Sequence, residues 1–230
     1  MRCRLFMGIF RYKRKGGKIL MKDIIIVGAG GMGRELLQWI KDINALKPTW
    51  RIKGFINDIP NALDGKACDY GIIGTIVDWE PGENEVFAMG IADPKGKEKV
   101  ASMLKGRGAI FADVVHPYAR ICDFSVHGEG LVMYPGAALN PNSKVGDFVT
   151  ILSSGIPHDA VVDDYATISS FCGLTRNIHI GKRAFLADHS CILPGKRIGD
   201  DAYVGMGSVV VKNVANGEKV FGNPAKRIDF

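Results

Sequence analysis

Nine aliphatic residues, Val162, Ile168, Leu174, Ile180, Leu186, Ile192, Ile198, Val204 and Val210, follow one another at intervals of six without a miss. With roughly one aliphatic in four positions, such a run arises by chance on the order of 10⁻⁶ to 10⁻⁵ of the time, so it is a repeat. A period of six fits neither an amphipathic helix, whose period is 3.6, nor an open sheet with alternating faces. Gly146, Gly181, Gly199 and Gly205 follow aliphatic positions of the register and supply turns. Short strands joined by turns, each aiming one aliphatic at a common axis, stack into a solenoid with a one-dimensional core. Val126, Val132, Val145 and Ile151 read as earlier members of the register. One slip is placed between Val132 and Val145 and another between Ile151 and Val162, each expected to mark a loop.

Upstream of residue 114 the period changes. Ile24-Ile25-Ile26-Val27, Arg51 to Ile56, Glu85 to Gly90 and Ala109 to Ala112 read as strands, and Arg34 to Ile43 and Lys95 to Leu104 as helices. Strands alternating with helices imply a short parallel sheet with right-handed crossovers, about half the size of a complete dinucleotide fold. The fold class is therefore α/β plus β, with a Rossmann-like domain at 21–113 and a parallel β-helix at 114–230. Gly28-Ala29-Gly30-Gly31-Met32-Gly33 satisfies GxGxxG between a strand and a helix, where glycine backbone and a helix N-terminus suit a diphosphate. Asn57-Asp58, at the end of the next strand, is placed to reach a ribose or base.

The net charge of +6 does not signal a nucleic-acid partner. Seven of the 30 Lys and Arg residues lie in the first 20 positions, which hold no acid, so 23 bases face 24 acids in the rest, a net of −1. Residues 1–20 are expected to be a disordered basic leader or to precede the translation start at Met21. Their apolar run, Leu5 to Phe10, is too short for a secretory signal, and no run approaches the roughly 18 residues that span a bilayer. Cys3, Cys68, Cys122, Cys172 and Cys191 are odd in number with no CxxC pair, so neither disulfides nor a metal cluster is expected and a reducing cytoplasm fits.

The hexapeptides "PNSKVGDFVTI", "HIGKRAF" and "IGDDAYVGMGSVVVKNV", with the terminal "VFGNPAKRI", resemble the left-handed parallel β-helix acyltransferases. Joined to "IIIVGAGGMGRELL", "GFIND" and "VVHPYA", residues 22–230 resemble one subgroup, the bacterial sialic-acid O-acetyltransferase and nucleotide-aminosugar N-acetyltransferase family. The resemblance implies three hexapeptides per coil, a homotrimer, and acetyl-CoA bound between neighbouring subunits. It implies a pocket for the nucleotide of an activated sugar at Gly30, Gly31, Met32, Asn57, Asp58 and Gly90. It also implies that the segments near Asp188 and Met206 line the CoA path, with Lys212 or Lys226-Arg227 meeting its phosphates.

Among five histidines, His116, His127, His179 and His189 read as structural or exposed, whereas His158 stands in "SSGIPHDAV" at the second slip. A neutral imidazole takes a proton from an amine or hydroxyl near pH 7, and Asp159 is suitably placed to orient it. The resemblance assigns this His as general base and the following acid as its tuning partner. Positions 18 apart stack, so His158, Arg176, Pro194 and Lys212 form a column spanning about 14 Å at ~4.8 Å per coil. On that column the Arg176 N–H is the natural donor to a developing oxyanion.

Three positions depart from the family pattern. Ile151 stands where an Asn is frequent, Thr167 where a His is frequent, and Phe171 where a small residue is usual; all three are expected to line the acyl-CoA cleft, Thr167 as a cofactor contact. The leading expectation is an acetyl-CoA-dependent N-acetyltransferase acting on a nucleotide-linked amino sugar for surface glycan synthesis. O-acetylation of sialic acid or a polysaccharide sugar is the close alternative, because His serves a hydroxyl equally well. An NAD(P)-dependent oxidoreductase and a catalytically silent scaffold are the alternatives from other classes.

Overall fold

The computed structural model describes residues 21–228; the expected leader at 1–20 lies outside the described residues. The described residues begin with a sheet of four parallel strands, β1 (Lys22–Val27), β2 (Trp50–Ile56), β3 (Ile72–Gly74) and β4 (Glu85–Met89), in the order β3-β2-β1-β4. Helix α1 (Gly31–Leu46) connects β1 to β2, and α2 (Pro94–Gly106) follows β4. β1 is buried on both faces, as a central parallel strand must be. Ile24 and Ile26 pack with Leu36, Leu37 and Ile40 of α1, while Ile25 and Val27 pack with Ala101 and Leu104 of α2.

Two details differ from the sequence reading. Ile72–Gly74 forms the edge strand β3, and its three residues are too few to show a period. Ala109 to Ala112 is not a strand but a single bridge between Phe111 and Phe87.

From Val114 the chain winds into a solenoid of short parallel strands, two residues each except Lys219–Phe221, on three faces, the longest face joining eight strands of which the last is antiparallel. The axis is filled by Met133, Leu139, Val145, Ile151, Ile156, Val162 and their successors to Val220. This corrects the early register. Val132 pairs with Thr150, so Met133 and not Val132 is the inward partner of Ile151. Val126 pairs with Lys144 and is 56% exposed. Val132 is aliphatic for a different reason: it faces outward into the core of the amino-terminal domain. Positions 115, 121, 127, 133, 139, 145 and 151 therefore run without a slip; the register breaks at the five-residue step from Ile151 to Ile156 and again near the end, where Val214 follows Val210 after four residues and bridges to Ile198.

A second ladder records the same step. Left-handed residues recur every six positions through Phe124, Gly130, Gly136, Asn142 and Phe148, and again from Asp159 through Tyr165, Phe171 and Asn177 to Gly207. Between them the turn Leu152–Ser154 is one residue short and has no left-handed member. The slip is thus a tightened turn at Leu152–Ser154, not the loop expected between Ile151 and Val162.

The amino-terminal domain docks on the longest face. Tyr134 donates to Glu35 of α1 at 2.8 Å, and His116 contacts Asp42 at 3.2 Å. Glu98 of α2 meets Lys182 and Arg183, and Arg183 grips Asp201 through two bonds of 2.8 and 2.7 Å. Among the described residues no helix is long and apolar enough to cross a membrane.

Candidate functional site

His158 occupies a corner turn, Pro157-His158-Asp159-Ala160, directly after the strand Gly155–Ile156. Asp159 holds φ 58°, and its Oδ2 lies 2.7 Å from His158 Nδ1. The two side chains are 55% and 50% exposed, leaving Nε2 of the ring directed away from its carboxylate partner. The hydrogen bond from His158 holds the Asp159 carboxyl below the ordinary range, so it is an anion at neutral pH.

The backbone around this turn is partly released from the solenoid. One coil earlier, the Asn140 N–H donates to Ile156 O at 3.0 Å. The corresponding position in the next coil is Pro157, which has no N–H to give. The short turn adds to this: Ser154 Oγ accepts the Cys172 N–H at 2.9 Å and donates to Ser169 O at 2.7 Å. Accordingly Gly155–Ile156 and Gly173–Leu174 belong to separate sheets, and the third face is interrupted at the coil bearing His158.

Arg176 lies at the corner one coil beyond His158. It is exposed, and among the described residues its backbone N–H makes no hydrogen bond. The adjoining face carries the small outward residues Gly173 and Cys191, with their partners Leu174 and Ile192 turned inward. Across that face, Phe171, Asp188 and Met206 stand on the next corner. Phe171 is 64% exposed and stacked on His189, Asp188 accepts the Ser170 N–H at 2.8 Å, and Met206 is 58% exposed. His158, Arg176, Asp188 and Met206 thus border one surface.

Two of the three departures lie elsewhere. Ile151 is wholly buried at the solenoid axis, because it is the inward member of its strand. Thr167 is buried under the amino-terminal domain, where its hydroxyl donates to Ala92 O at 2.8 Å and accepts from Lys97 at 3.0 Å. Neither side chain reaches the surface beside His158.

The glycine-rich loop folds tightly against the start of α1. Gly28 adopts φ 95° and turns the chain from β1 toward α1. A side chain on Gly33 would sit 2.0 Å from Gly28 O, so only glycine lets the loop fold back on its helix. Beside Gly30 and Gly31 the space is open. α1 has no side-chain cap and no acid in its first turn, so its N-terminal dipole is uncompensated. Gly90 closes the floor, its N–H bonded to Val27 O at 2.9 Å. Asn57 accepts the Ala29 N–H at 3.1 Å and donates to Ile59 O, and Asp58 Oδ1 accepts the N–H groups of Ile76 and Val77. Both side chains brace the loops around the pocket, leaving Asp58 Oδ2 the freer oxygen. Met32 is half-buried at the start of α1.

Lys97 was legible but not singled out. Pro94, Lys97, Ala101 and Leu104 form the buried stripe of α2, so a lysine occupies an apolar position. Among the described residues no group of three or more His, Cys, Asp and Glu side chains is placed to hold a metal.

Residues 23–104 match the model of the PglD N-terminal domain family. WeeI from Acinetobacter baumannii AYE is 30% identical, with 89% of this chain and 99% of that one covered and a TM-score of 0.71. The acetyltransferase domain of PglB from Neisseria gonorrhoeae FA1090, solved with acetyl coenzyme A, has a TM-score of 0.82 at 22% identity, covering 90% and 100% of the two chains. Perosamine N-acetyltransferase from Caulobacter crescentus, solved as a mutant with CoA and GDP-perosamine, has a TM-score of 0.80 at 20% identity, covering 92% and 99%. Among curated relatives, the acyl-[acyl-carrier-protein]–UDP-N-acetylglucosamine O-acyltransferase of Pseudomonas paraeruginosa is 30% identical over 108 residues, 46% of this chain and 42% of that protein. The chain thus spans under half the length of that relative. With a PglD-type first domain, a hexapeptide solenoid, and 30% identity along nearly all of WeeI, the chain belongs to the left-handed β-helix acyltransferase family of nucleotide-sugar N-acetyltransferases.

Proposed function

We propose that the protein is an acetyl-CoA-dependent N-acetyltransferase acting on a nucleotide-linked amino sugar, with His158 as general base. The observation that carries this reading is the His158–Asp159 pair, an exposed imidazole with Nδ1 bound to a carboxylate 2.7 Å away and Nε2 open to a substrate. An ionised Asp159 fixes the tautomer that keeps the lone pair on Nε2. The nucleotide sits at the uncapped N-terminus of α1, against Gly30, Gly31, Met32 and Gly90, with Asn57 and Asp58 at its edge.

The surface between His158 and Met206 fits the acyl donor: its face bears small residues, and among the described residues the Arg176 N–H has no partner of its own. The donor supplies an activated acetyl group. His158 Nε2 takes a proton from the sugar amine as nitrogen attacks, and the Arg176 N–H meets the charge developing on the thioester oxygen. As the C–N bond forms and the C–S bond breaks, the proton held on His158 leaves with the sulfur, giving amide and free thiol. Asp188 and Met206 border the arm of the donor. Association into a homotrimer, bringing a neighbour against this surface, and a cytoplasmic setting complete the proposal.

Incubation with acetyl-CoA and a panel of UDP-, dTDP- and GDP-linked 4-amino sugars tests it by product mass spectrometry. A gain of one acetyl group on one sugar nucleotide is expected. Acetylation of sialic acid alone would move the reaction to a hydroxyl, and absence of transfer to every acceptor would overturn the reading.

A further inference from the structure

Lys97 is the most deeply buried cation among the described residues, with no exposed surface. Its Nζ donates to Thr150 Oγ1 at 3.0 Å, Thr167 Oγ1 at 3.0 Å and Ala166 O at 3.2 Å. Three acceptors thus meet the three hydrogens of an ammonium. No carboxylate joins them. Asp93, the cap of α2 and the acid that acts on Lys97 electrostatically, spends Oδ2 on the Gly96 N–H. Side-chain packing alone would be served by an apolar residue, which avoids the cost of burying a charge.

What the cage connects gives it meaning. Thr150 and Thr167 are paired in register on adjacent coils, so the chain between them is one full circuit of the solenoid. His158 and Asp159 lie midway around it, and this is the circuit shortened by one residue. Lys97 therefore holds the beginning and end of the coil that carries the general base. The Thr167 hydroxyl passes the connection on by donating to Ala92 O at 2.8 Å. Ala92 belongs to the loop after β4, where Gly90 bonds to Val27 O and Ile91 lies against Gly28 at the mouth of the glycine-rich loop.

We propose that Lys97 is a positioning residue that couples the sugar-nucleotide pocket to the coil of His158, and that the coupling depends on its ammonium form. The inference rests on the acetyl-transfer reading for its kinetic consequences. With all three hydrogens present every acceptor is met. Loss of one proton, with Nζ still buried, leaves two donors for three acceptors and a lone pair on nitrogen; the Thr167 hydroxyl that held Ala92 O turns to meet that lone pair, and the Ala92 loop loosens. Burial lowers the Lys97 pKa to about 7, with Asp93 opposing the shift, so the two forms exchange near neutrality. The groups facing it from the solenoid, Thr150, Ala166 and Thr167, do not titrate in this range. The nearby charges Glu98, Lys182, Arg183 and Asp201 are engaged with one another, Lys95 reaches toward Asp201, and Tyr165 stacks on Phe148.

The test compares wild type with Lys97→Met from pH 6 to 8.5, using whichever sugar nucleotide of the panel is turned over. The variant is expected to raise the acceptor KM about tenfold while the acetyl-CoA KM stays within twofold. The wild-type acceptor KM should rise through pH 7, and the variant should lack that rise. An unchanged acceptor KM, an equal rise in both KM values, or superimposable pH profiles would overturn the proposal. Hydrogen exchange of amides 90–97 in the free wild-type protein, corrected for intrinsic rates, needs neither the variant nor an acceptor. Protection that falls above pH 7 is expected, and equal protection at pH 6 and 8.5 would overturn the clamp even in a protein with no detected transfer.

Discussion

The carboxylate of Asp159 turns back onto the ring of His158, the residue immediately before it, because Asp159 stands in the left-handed region at φ 58°. Adjacent side chains in extended backbone point to opposite faces and do not meet in this way. The pair is therefore a product of the corner turn, and the same left-handed position at Asn177 and Gly195 marks the stacked corners above it.

Asp159→Asn keeps the turn and removes the charge. It should lower kcat about tenfold to a hundredfold, with the acceptor KM little changed and the far-ultraviolet circular dichroism unaltered, because the imidazolium formed during transfer loses its counter-charge. A kcat within twofold of wild type would remove Asp159 from the mechanism.

Gly33→Ala places a methyl group 2.0 Å from Gly28 O, a backbone atom that cannot move without displacing β1. Destabilisation of more than about 2 kcal/mol is expected in urea unfolding, together with loss of sugar-nucleotide binding. Alanine at Gly31, where the space is open, should cost little stability and serves as the control.

Ile151→Asn probes the corrected register. At the axis the amide is buried among Val145, Val162 and Ile168 without a partner, and a loss of about 3 kcal/mol or more follows. Were Ile151 instead in the acyl-CoA cleft, the substitution would leave thermal stability nearly unchanged and alter the acetyl-CoA KM.

Stability should also depend on pH through Lys97. Its folded pKa of about 7 lies below the ordinary 10.5, so between those values the unfolded chain binds more protons than the folded one. Stability from this group therefore rises as pH increases from 7, by up to about 1.4 kcal/mol per unit, and is absent below 7. In urea titrations, the stability of Lys97→Met relative to wild type should fall by about 2 to 3 kcal/mol between pH 7 and 9. A difference independent of pH would contradict this.

The solenoid was legible because its core repeats a single decision, one aliphatic residue inward every six, and Val162 to Val210 make that decision nine times. The register failed at Val126 because that valine is exposed, and at Val132 because burial has two sources there. Val132 is covered by the amino-terminal domain, and hydrophobicity alone does not distinguish a residue facing the axis from one facing a second domain. His158 and Asp159 were legible as neighbours in a turn, whereas the missing N–H of Pro157 gains its meaning only when Asn140 is seen donating from the coil below. Thr167 was misplaced for a similar reason: its counterpart is Lys97, 70 residues earlier, and no local pattern joins the two. A lysine on the buried stripe of α2 was the available signal.

Thiol release from acetyl-CoA, followed for wild type and His158→Ala with the panel of nucleotide-linked 4-amino sugars and with sialic acid, tests the central claim most directly. The account predicts that wild type turns over an aminosugar nucleotide and that the variant loses about 10² to 10⁴ in kcat while staying folded and retaining CoA binding. Undiminished turnover by the variant would contradict the assignment of His158 as the general base.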